Sequence, residues 1–199
     1  VAGSTDLMAT SGIGIVGARD VGPEAARVAG DAARYLASQG LTVFSGAAKG
    51  IDQVAMNAAF DAGGAVVGVL ADSLERRLRD PDTRRAIHDE QVCLLTPYKP
   101  SMGFTVANAM ARNKLVYALA RKTLVVQSDL ETGGTWAGAT EWLKRAPEDV
   151  LVWAGAGEGR GNAALIHAGA RAISDVEALV GEHPPANTHA GAQQLGFGV

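Results

Sequence analysis

The chain has 199 residues, which predicts one domain with enough chain for a substantial apolar core. Its formal net charge of −3 excludes a uniformly basic surface, so nucleic-acid binding would have to use a local patch. The single cysteine, Cys93, excludes an internal disulfide framework and a cysteine-rich zinc site. Because the sequence shows neither an apolar run of membrane-spanning length nor a signal segment, we expect a cytoplasmic protein without membrane contact.

Residues 1–11 are small and polar and are expected to form a flexible lead-in, whereas residues 181–199 lack periodicity and are expected to form a disordered tail. Between them, residues 12–180 alternate short apolar runs with helical patterns. Strands are predicted at 13–17, 41–44, 65–70, 91–95, 122–127 and 149–153. This rhythm predicts an α/β domain with a Rossmann-like, doubly wound, mostly parallel sheet of about six to seven strands and helices on both faces.

Three later segments complete the domain in this interpretation. The charged segment 72–90 is predicted to be a solvated helical face, with a ridge of phosphate-facing arginines as the alternative. A helix is expected over 104–120. After the sixth strand, the sequence predicts a glycine-rich flexible loop over 155–162, a turn at 169–171 and a last helix over 175–180.

The segment from Val43 to Asp52 joins a buried strand, a small-residue loop and a helix start. This order is typical of an anion site, because loop amides and the unpaired amides of the first helical turn converge there. Gly46 and Gly50 belong to this loop, and Lys49 adds a full positive charge. Asp52 either caps the helix or meets a ribose hydroxyl. The alternative is a tight crossover whose glycines only allow close packing.

A second helix start with glycine and hydroxyl residues follows the fifth strand. Gly133, Gly134 and Thr135 open this helix and form a second candidate anion site. Arg19 lies just past the end of the first strand, where open α/β sheets bind ligands. We therefore expect a phosphate-binding crevice at the carboxyl ends of the strands. The histidines show no metal-ligand spacing, so no metal site is expected.

Taken together, the motifs resemble the DprA/Smf family, the DNA-processing proteins of bacterial transformation. The matching segments follow the family's order and are Val16-Gly17-Ala18-Arg19, Ser45-Gly46-Ala47-Ala48-Lys49-Gly50-Ile51-Asp52, Arg112-Asn113-Lys114, Val125-Val126 and Gly133-Gly134-Thr135. The resemblance covers residues 12–172. It implies a Rossmann-like domain related to nucleotide-sensing domains and to phosphoribohydrolases.

The resemblance implies a protein that binds single-stranded DNA without a cofactor, and it favours a binding protein over an enzyme. Carried over position by position, the phosphate-gripping residues would be Arg19, Lys49, Arg112 and Lys114, with Asn113 beside them. The family commonly has arginine at the two lysine positions. Lysine keeps the positive charge but lacks the planar guanidinium group, which can donate two parallel hydrogen bonds to a phosphate. A RecA-type recombinase as partner and a homodimer are also implied. Base stacking would have to use the nearest aromatic residues, which are Tyr98, Phe104 and Trp136.

Two other functions stay open. The segment from Thr132 to Glu141 resembles the phosphoribohydrolase motif PGGxGTxxE, in which Glu141 would be the catalytic carboxylate and Arg112 its partner. Against this, Thr132 replaces the proline and the spacing to Glu141 is longer than in the motif. The third hypothesis is a nucleotide sensor that binds a small phosphorylated ligand in the same crevice and catalyses no reaction.

Overall fold

One parallel sheet forms the centre of the domain in a computed structural model that describes residues 1–180. Six of the seven strands in the described residues are short, mostly buried runs of apolar and β-branched residues, as such sheets require. Within the described residues the strands are β1 (Gly12–Gly17), β2 (Thr42–Ser45), β3 (Val66–Val69), β4 (Val92–Leu95), β5 (Lys122–Gln127), β6 (Val150–Trp153) and β7 (Arg171–Ile173).

The strand order is β4-β3-β2-β1-β5-β6-β7, and every neighbouring pair is parallel. The order changes direction between β1 and β5, so the connections leave these two strands toward opposite sides. Such a switch point opens a crevice at the carboxyl ends of the strands. The pairing of β1 with β5 ends at Gly17 and Gln127, after a register shift beyond Val16. This topology confirms the Rossmann-like fold that the sequence predicts.

Helices cover both faces of the sheet. They are α1 (Asp6–Ala9), α2 (Pro23–Ser38), α3 (Ile51–Asp61), α4 (Leu74–Arg77), α5 (Pro81–His88), α6 (Val106–Leu119), α7 (Gly133–Leu143) and α8 (Asn162–His167). One core cluster joins the sheet to α2, α3 and α5, and the other joins it to α6, α7 and α8. Alternation along the strands supplies both clusters, since Leu124 and Val126 face the first and Val125 faces the second. No helix described in residues 1–180 has the length and apolar character needed to cross a membrane.

The first residues differ from the expected loose lead-in. Ala2 and Leu94 exchange two backbone hydrogen bonds of 2.8 Å each, which form an antiparallel bridge, and Asp6–Ala9 is a helical turn. The physical reason is that β4 lies at the edge of the sheet, where its outer backbone groups need partners. A bridge this short carries no periodic pattern that sequence inspection could detect.

The end of the domain also differs from the expected turn and helix. Residues 171–173 form β7, and Val176–Leu179 is a 3-10 helix. Arg171 and Ala172 are exposed on this edge strand, so the apolar signal of a buried strand is missing. The charged segment 72–90 forms two short helices, α4 and α5, that bury Leu74 and Ala86. The tail expected over 181–199 lies outside the described residues.

Candidate nucleic-acid interface

A crevice of about 680 Å³ lies at the carboxyl ends of β1 and β5. Gly17 and Gln127 form its floor at the ends of these strands, α6 contributes one wall, and the start of α7 contributes another. This volume lies within the range of small-molecule and cofactor sites. The switch point therefore holds the crevice that the sequence predicts, and the residues around it decide which chemistry it supports.

The side chain of Asp52 lies where the sequence predicts a bound phosphate, next to the loop before α3. This residue lies in the first turn of α3 and is only 6% exposed. The backbone N–H of Ala48 donates to the carboxylate at 3.4 Å, and the amides of Gly17 and Gly46 lie close enough to favour its charged form. The converging amides thus bind an anion of the chain itself. No side-chain hydrogen bond caps the start of α3 within residues 1–180, and Asp52 is a nearly buried member of the crevice lining.

Burial raises the pKa of Asp52 to about 6, because an ionised carboxylate loses its hydration there. The nearby Arg112 guanidinium and the amide donors act in the opposite direction and limit the increase. Asp52 and Arg112 are therefore a pair of buried, opposite charges that attract each other at the bottom of the crevice. Removing either residue would leave the other as an uncompensated buried charge, which destabilises the folded state.

Arg112 is 3% exposed, although it was predicted to grip phosphate. Its Nη1 group donates to the carbonyl oxygens of Gly46 and Val69, so the side chain ties α6 to the ends of β2 and β3. A Cβ added to Gly46 would overlap the guanidinium and approach Asp52 Oδ2 to 2.6 Å. Because Gly46 has no side chain, it leaves room for Asp52 and Arg112 to pack against it. The nearly buried Arg112 contributes its positive charge to the crevice from this position.

Lys49 and Lys114, the two predicted lysine contacts, lie outside the crevice. Lys49 is exposed on the loop before α3 and does not line the crevice, although its neighbour Ala48 does. Lys114 Nζ lies 2.9 Å from Glu141 Oε1 on α7, on the outer side of the helix pair. Of the predicted site residues, neither lysine lines the crevice, and neither do Gly46 and Gly50. Those that line it are Arg19, Asp52, Arg112, Asn113, Gly133, Gly134 and Thr135.

Glu141, the carboxylate of the alternative enzyme hypothesis, also lies outside the crevice. It pairs with Lys114 and, at 3.5 Å, with Arg145. The hydrogen bond from Lys114 lowers the pKa of Glu141 below its usual range, so the carboxylate is ionised at neutral pH. A surface ion pair accounts for this residue without a catalytic role.

The start of α7 presents the second predicted anion site to the crevice. Gly133, with φ of 81°, directs the chain into the helix, and no side chain of the described residues caps the first turn. Thr135 Oγ1 donates to the Gly17 carbonyl at 2.9 Å, which fixes the helix start against the end of β1. Asn113 Nδ2 donates to the Gly134 carbonyl at 3.0 Å from the side of α6. The uncapped amides and the positive end of the helix dipole therefore face the crevice.

Several crevice residues were not predicted from the sequence. Arg160 reaches the crevice from the loop between β6 and α8 and adds a second exposed positive charge to that of Arg19. Asn162 fixes this loop, because its buried amide donates to Val126 and Trp153 and accepts from the Ser128 backbone. The available signal was the position of Arg160 past the end of a strand, the same signal that singled out Arg19. Further unpredicted polar residues of the lining are Asp20, Gln127 and Asp129.

The charges of the lining are balanced. Three arginines and three aspartates line the crevice, in keeping with the absence of a generally basic surface. Because Asp52 and Arg112 form one buried pair, the exposed charges are two arginines, Arg19 and Arg160, and two aspartates, Asp20 and Asp129. No group of three or more metal-ligating side chains occurs among residues 1–180.

Comparison with known proteins places the sequence near proteins of DNA processing. A family model described as DNA recombination-mediator protein A matches residues 1–184. A curated relative from Mycobacterium tuberculosis, named as a putative DNA processing protein DprA, is 32% identical over 142 residues. The match covers 70% of this chain and 36% of that protein, so the chain spans about a third of the relative's length.

Two solved structures share the fold. DNA processing protein A from Helicobacter pylori, which was described for its single-stranded DNA binding mode, aligns with a TM-score of 0.74 and 24% identity. The alignment covers 90% of this chain and 83% of that one. The DprA structure from Streptococcus pneumoniae aligns with a TM-score of 0.77 and 23% identity, over 92% of this chain and 65% of that one. At these identities the similarity establishes the architecture.

Proposed function

Because the chain belongs to the DNA recombination-mediator protein A family, we propose that its crevice binds the phosphate backbone of single-stranded DNA. The observation that carries this proposal is the uncapped start of α7, which opens into the crevice that Arg19 and Arg160 also line. Backbone amides at a helix start bind phosphate oxygens, and arginine side chains add charge and paired donors. The resemblance to the H. pylori protein supports the same ligand class.

The proposed contacts differ from those that the sequence indicates. Arg19, Arg160 and the amides of Gly134 and Thr135 would contact phosphates, whereas buried Arg112 supplies charge and supports the wall. Lys49 and Lys114 would influence binding only through their long-range charge, because neither lines the crevice. We place the protein in DNA processing, in the cytoplasm. Delivery of the bound strand to a RecA-type recombinase and formation of a homodimer belong to the same proposal.

The test is a fluorescence-anisotropy titration with labelled oligo-dT at two salt concentrations, with mononucleotides as competitors. Binding that weakens as salt rises, and that a mononucleotide displaces only at high excess, supports a DNA site. Saturable binding of the mononucleotide without binding of the oligonucleotide refutes the proposal. The same titration decides the second candidate, a nucleotide-binding protein. That candidate is favoured by the balanced charge of the lining, because Asp20 and Asp129 suit sugar hydroxyls better than phosphates.

A further inference from the structure

We propose that an apolar platform at the mouth of the crevice stacks the bases of the bound strand. The platform consists of Phe104, Val106 and Met110, whose exposed fractions are 47%, 67% and 46%. Val106 and Met110 lie one helical turn apart on α6 and line the crevice, and Phe104 precedes them on the adjoining loop. This proposal rests on the proposed function, since it says which surface the bases contact when the crevice binds the phosphates of the same strand.

The loop that carries Phe104 is anchored at several points. Thr105 caps α6 by accepting from the Asn108 backbone N–H at 3.1 Å, and the Tyr98 hydroxyl donates to the Asn108 carbonyl at 2.8 Å. Farther along the loop, the Ser73 hydroxyl donates to the Pro100 carbonyl at 3.0 Å. An apolar ring exposed on an anchored loop pays little ordering entropy when it binds a ligand.

Arg19 connects the platform to the phosphate site. Its guanidinium carbon lies 4.8 Å from the centroid of the Phe104 ring, in cation–π geometry, while the ring is still about half exposed. Arg19 also lines the crevice. A phosphate held by Arg19 would therefore place its own base next to an aromatic face. Backbone charge beside a stacking surface is the combination that sequence-independent single-strand binding uses.

Nucleobases fit this surface better than a protein partner does. A stable protein interface buries about 800 Å² on each partner, far more than three partly exposed side chains provide. The platform is also continuous with the crevice, so a strand that enters the crevice passes over it. Of the aromatic residues near the site, Tyr98 and Trp136 are half-buried, which leaves Phe104 as the exposed ring in this part of the described structure.

The experiment compares Phe104→Ala, Phe104→Leu and Phe104→Tyr with the unchanged protein. Each is titrated with labelled oligo-dT and with an abasic oligonucleotide of the same length, which keeps the phosphates and lacks the bases. Stacking on one aromatic ring predicts that Phe104→Ala weakens oligo-dT binding about five- to hundredfold and leaves abasic binding unchanged. Phe104→Tyr keeps the ring and should bind like the unchanged protein, whereas Phe104→Leu should bind like Phe104→Ala.

Other outcomes overturn the platform. Equal weakening on both oligonucleotides would mean that Phe104 acts through Arg19 or the loop and not through bases. Unchanged binding of oligo-dT would remove the ring from the interface. A change in molar mass by light scattering for Phe104→Ala would assign the surface to a second copy of the chain. If the unchanged protein binds neither oligonucleotide, the proposed function itself fails, and this result is distinct from the others.

Discussion

Replacing Arg19 and Arg160 together with alanine tests whether the crevice contacts phosphates. Both side chains are exposed, line the crevice, and are free of the buried pair beneath it. Their removal should leave the fold intact, because exposed arginines contribute little to stability. A loss of DNA binding by this variant would therefore report on contacts with the ligand and not on unfolding.

The expected magnitude follows from counterion release. For single strands, the slope of log K against log salt changes by about 0.7 for each phosphate contact. Loss of two contacts should reduce the slope by about 1.4, so that between 50 and 200 mM salt the unchanged protein loses about sevenfold more affinity than the variant. At low salt the variant should bind up to about thirtyfold more weakly, if each exposed contact contributes about 1 kcal/mol.

The assay is the oligo-dT titration at four or more salt concentrations, with thermal unfolding as the check on stability. Arg79→Ala with Arg85→Ala is the matched control, because both arginines are exposed in the segment 72–90, away from the crevice, and the net charge changes equally. The control should keep the slope of the unchanged protein. An unchanged slope in the crevice variant, or an equal decrease in the control, would refute phosphate contact by these residues.

Three further predictions concern the buried charge pair. Arg112→Ala should lower the free energy of unfolding by about 3–5 kcal/mol in denaturant titrations, because Asp52 would remain buried without its partner. The control Lys114→Ala should change it by less than about 1 kcal/mol. Similar losses in the two variants would contradict a stabilising interaction between Arg112 and Asp52. Since the folded-state pKa of Asp52 is raised to about 6, its contribution to stability is fully present below about pH 4 and decreases by up to about 3 kcal/mol as the pH rises through 6. Asp52→Asn should remove this pH dependence from urea titrations at pH 4 to 7, and an unaltered profile would exclude Asp52 as its source. Gly46→Ala should destabilise by roughly 2 kcal/mol or more, because its Cβ overlaps the pair, whereas at Gly22 an added Cβ meets nothing within 4 Å and Gly22→Ala should have little effect in thermal unfolding.

The sheet could be predicted from the sequence because its signals are local. Apolar β-branched runs, glycine after helices and residues past strand ends report on backbone geometry within a few positions. They correctly predict six strands and a crevice at the carboxyl ends of strands. The bridge between Ala2 and Leu94 and the strand β7 depend on pairing at sheet edges. Such pairing joins residues far apart in the chain and leaves no periodic trace.

The charges of the site were harder to predict, because burial depends on tertiary packing. Arg112 and Lys114 are two residues apart on α6, so they face different sides of the helix: Arg112 packs under the crevice and Lys114 pairs with Glu141. Asp52 lies sixty positions before Arg112, and sequence reasoning had no means of pairing them. The sequence predicts a ligand phosphate at the glycine-rich loop before α3, whereas in the structure the Ala48 amide of this loop donates to Asp52, an anion of the protein itself.

The crevice lies along the seam between two halves of the domain. β1 and the strands beyond it belong to one half, β5 with β6 and β7 to the other, and direct strand pairing across the seam ends at Gly17 and Gln127. The last backbone hydrogen bond across the seam runs from the Ala18 N–H to the Gln127 carbonyl at 2.9 Å, and the Thr135 hydroxyl adds a side-chain bond to the Gly17 carbonyl. A ligand held by Arg19 on one half and by the start of α7 on the other would act as a mechanical tie across this seam. Occupancy of the crevice would then raise the force needed to separate β1 from β5.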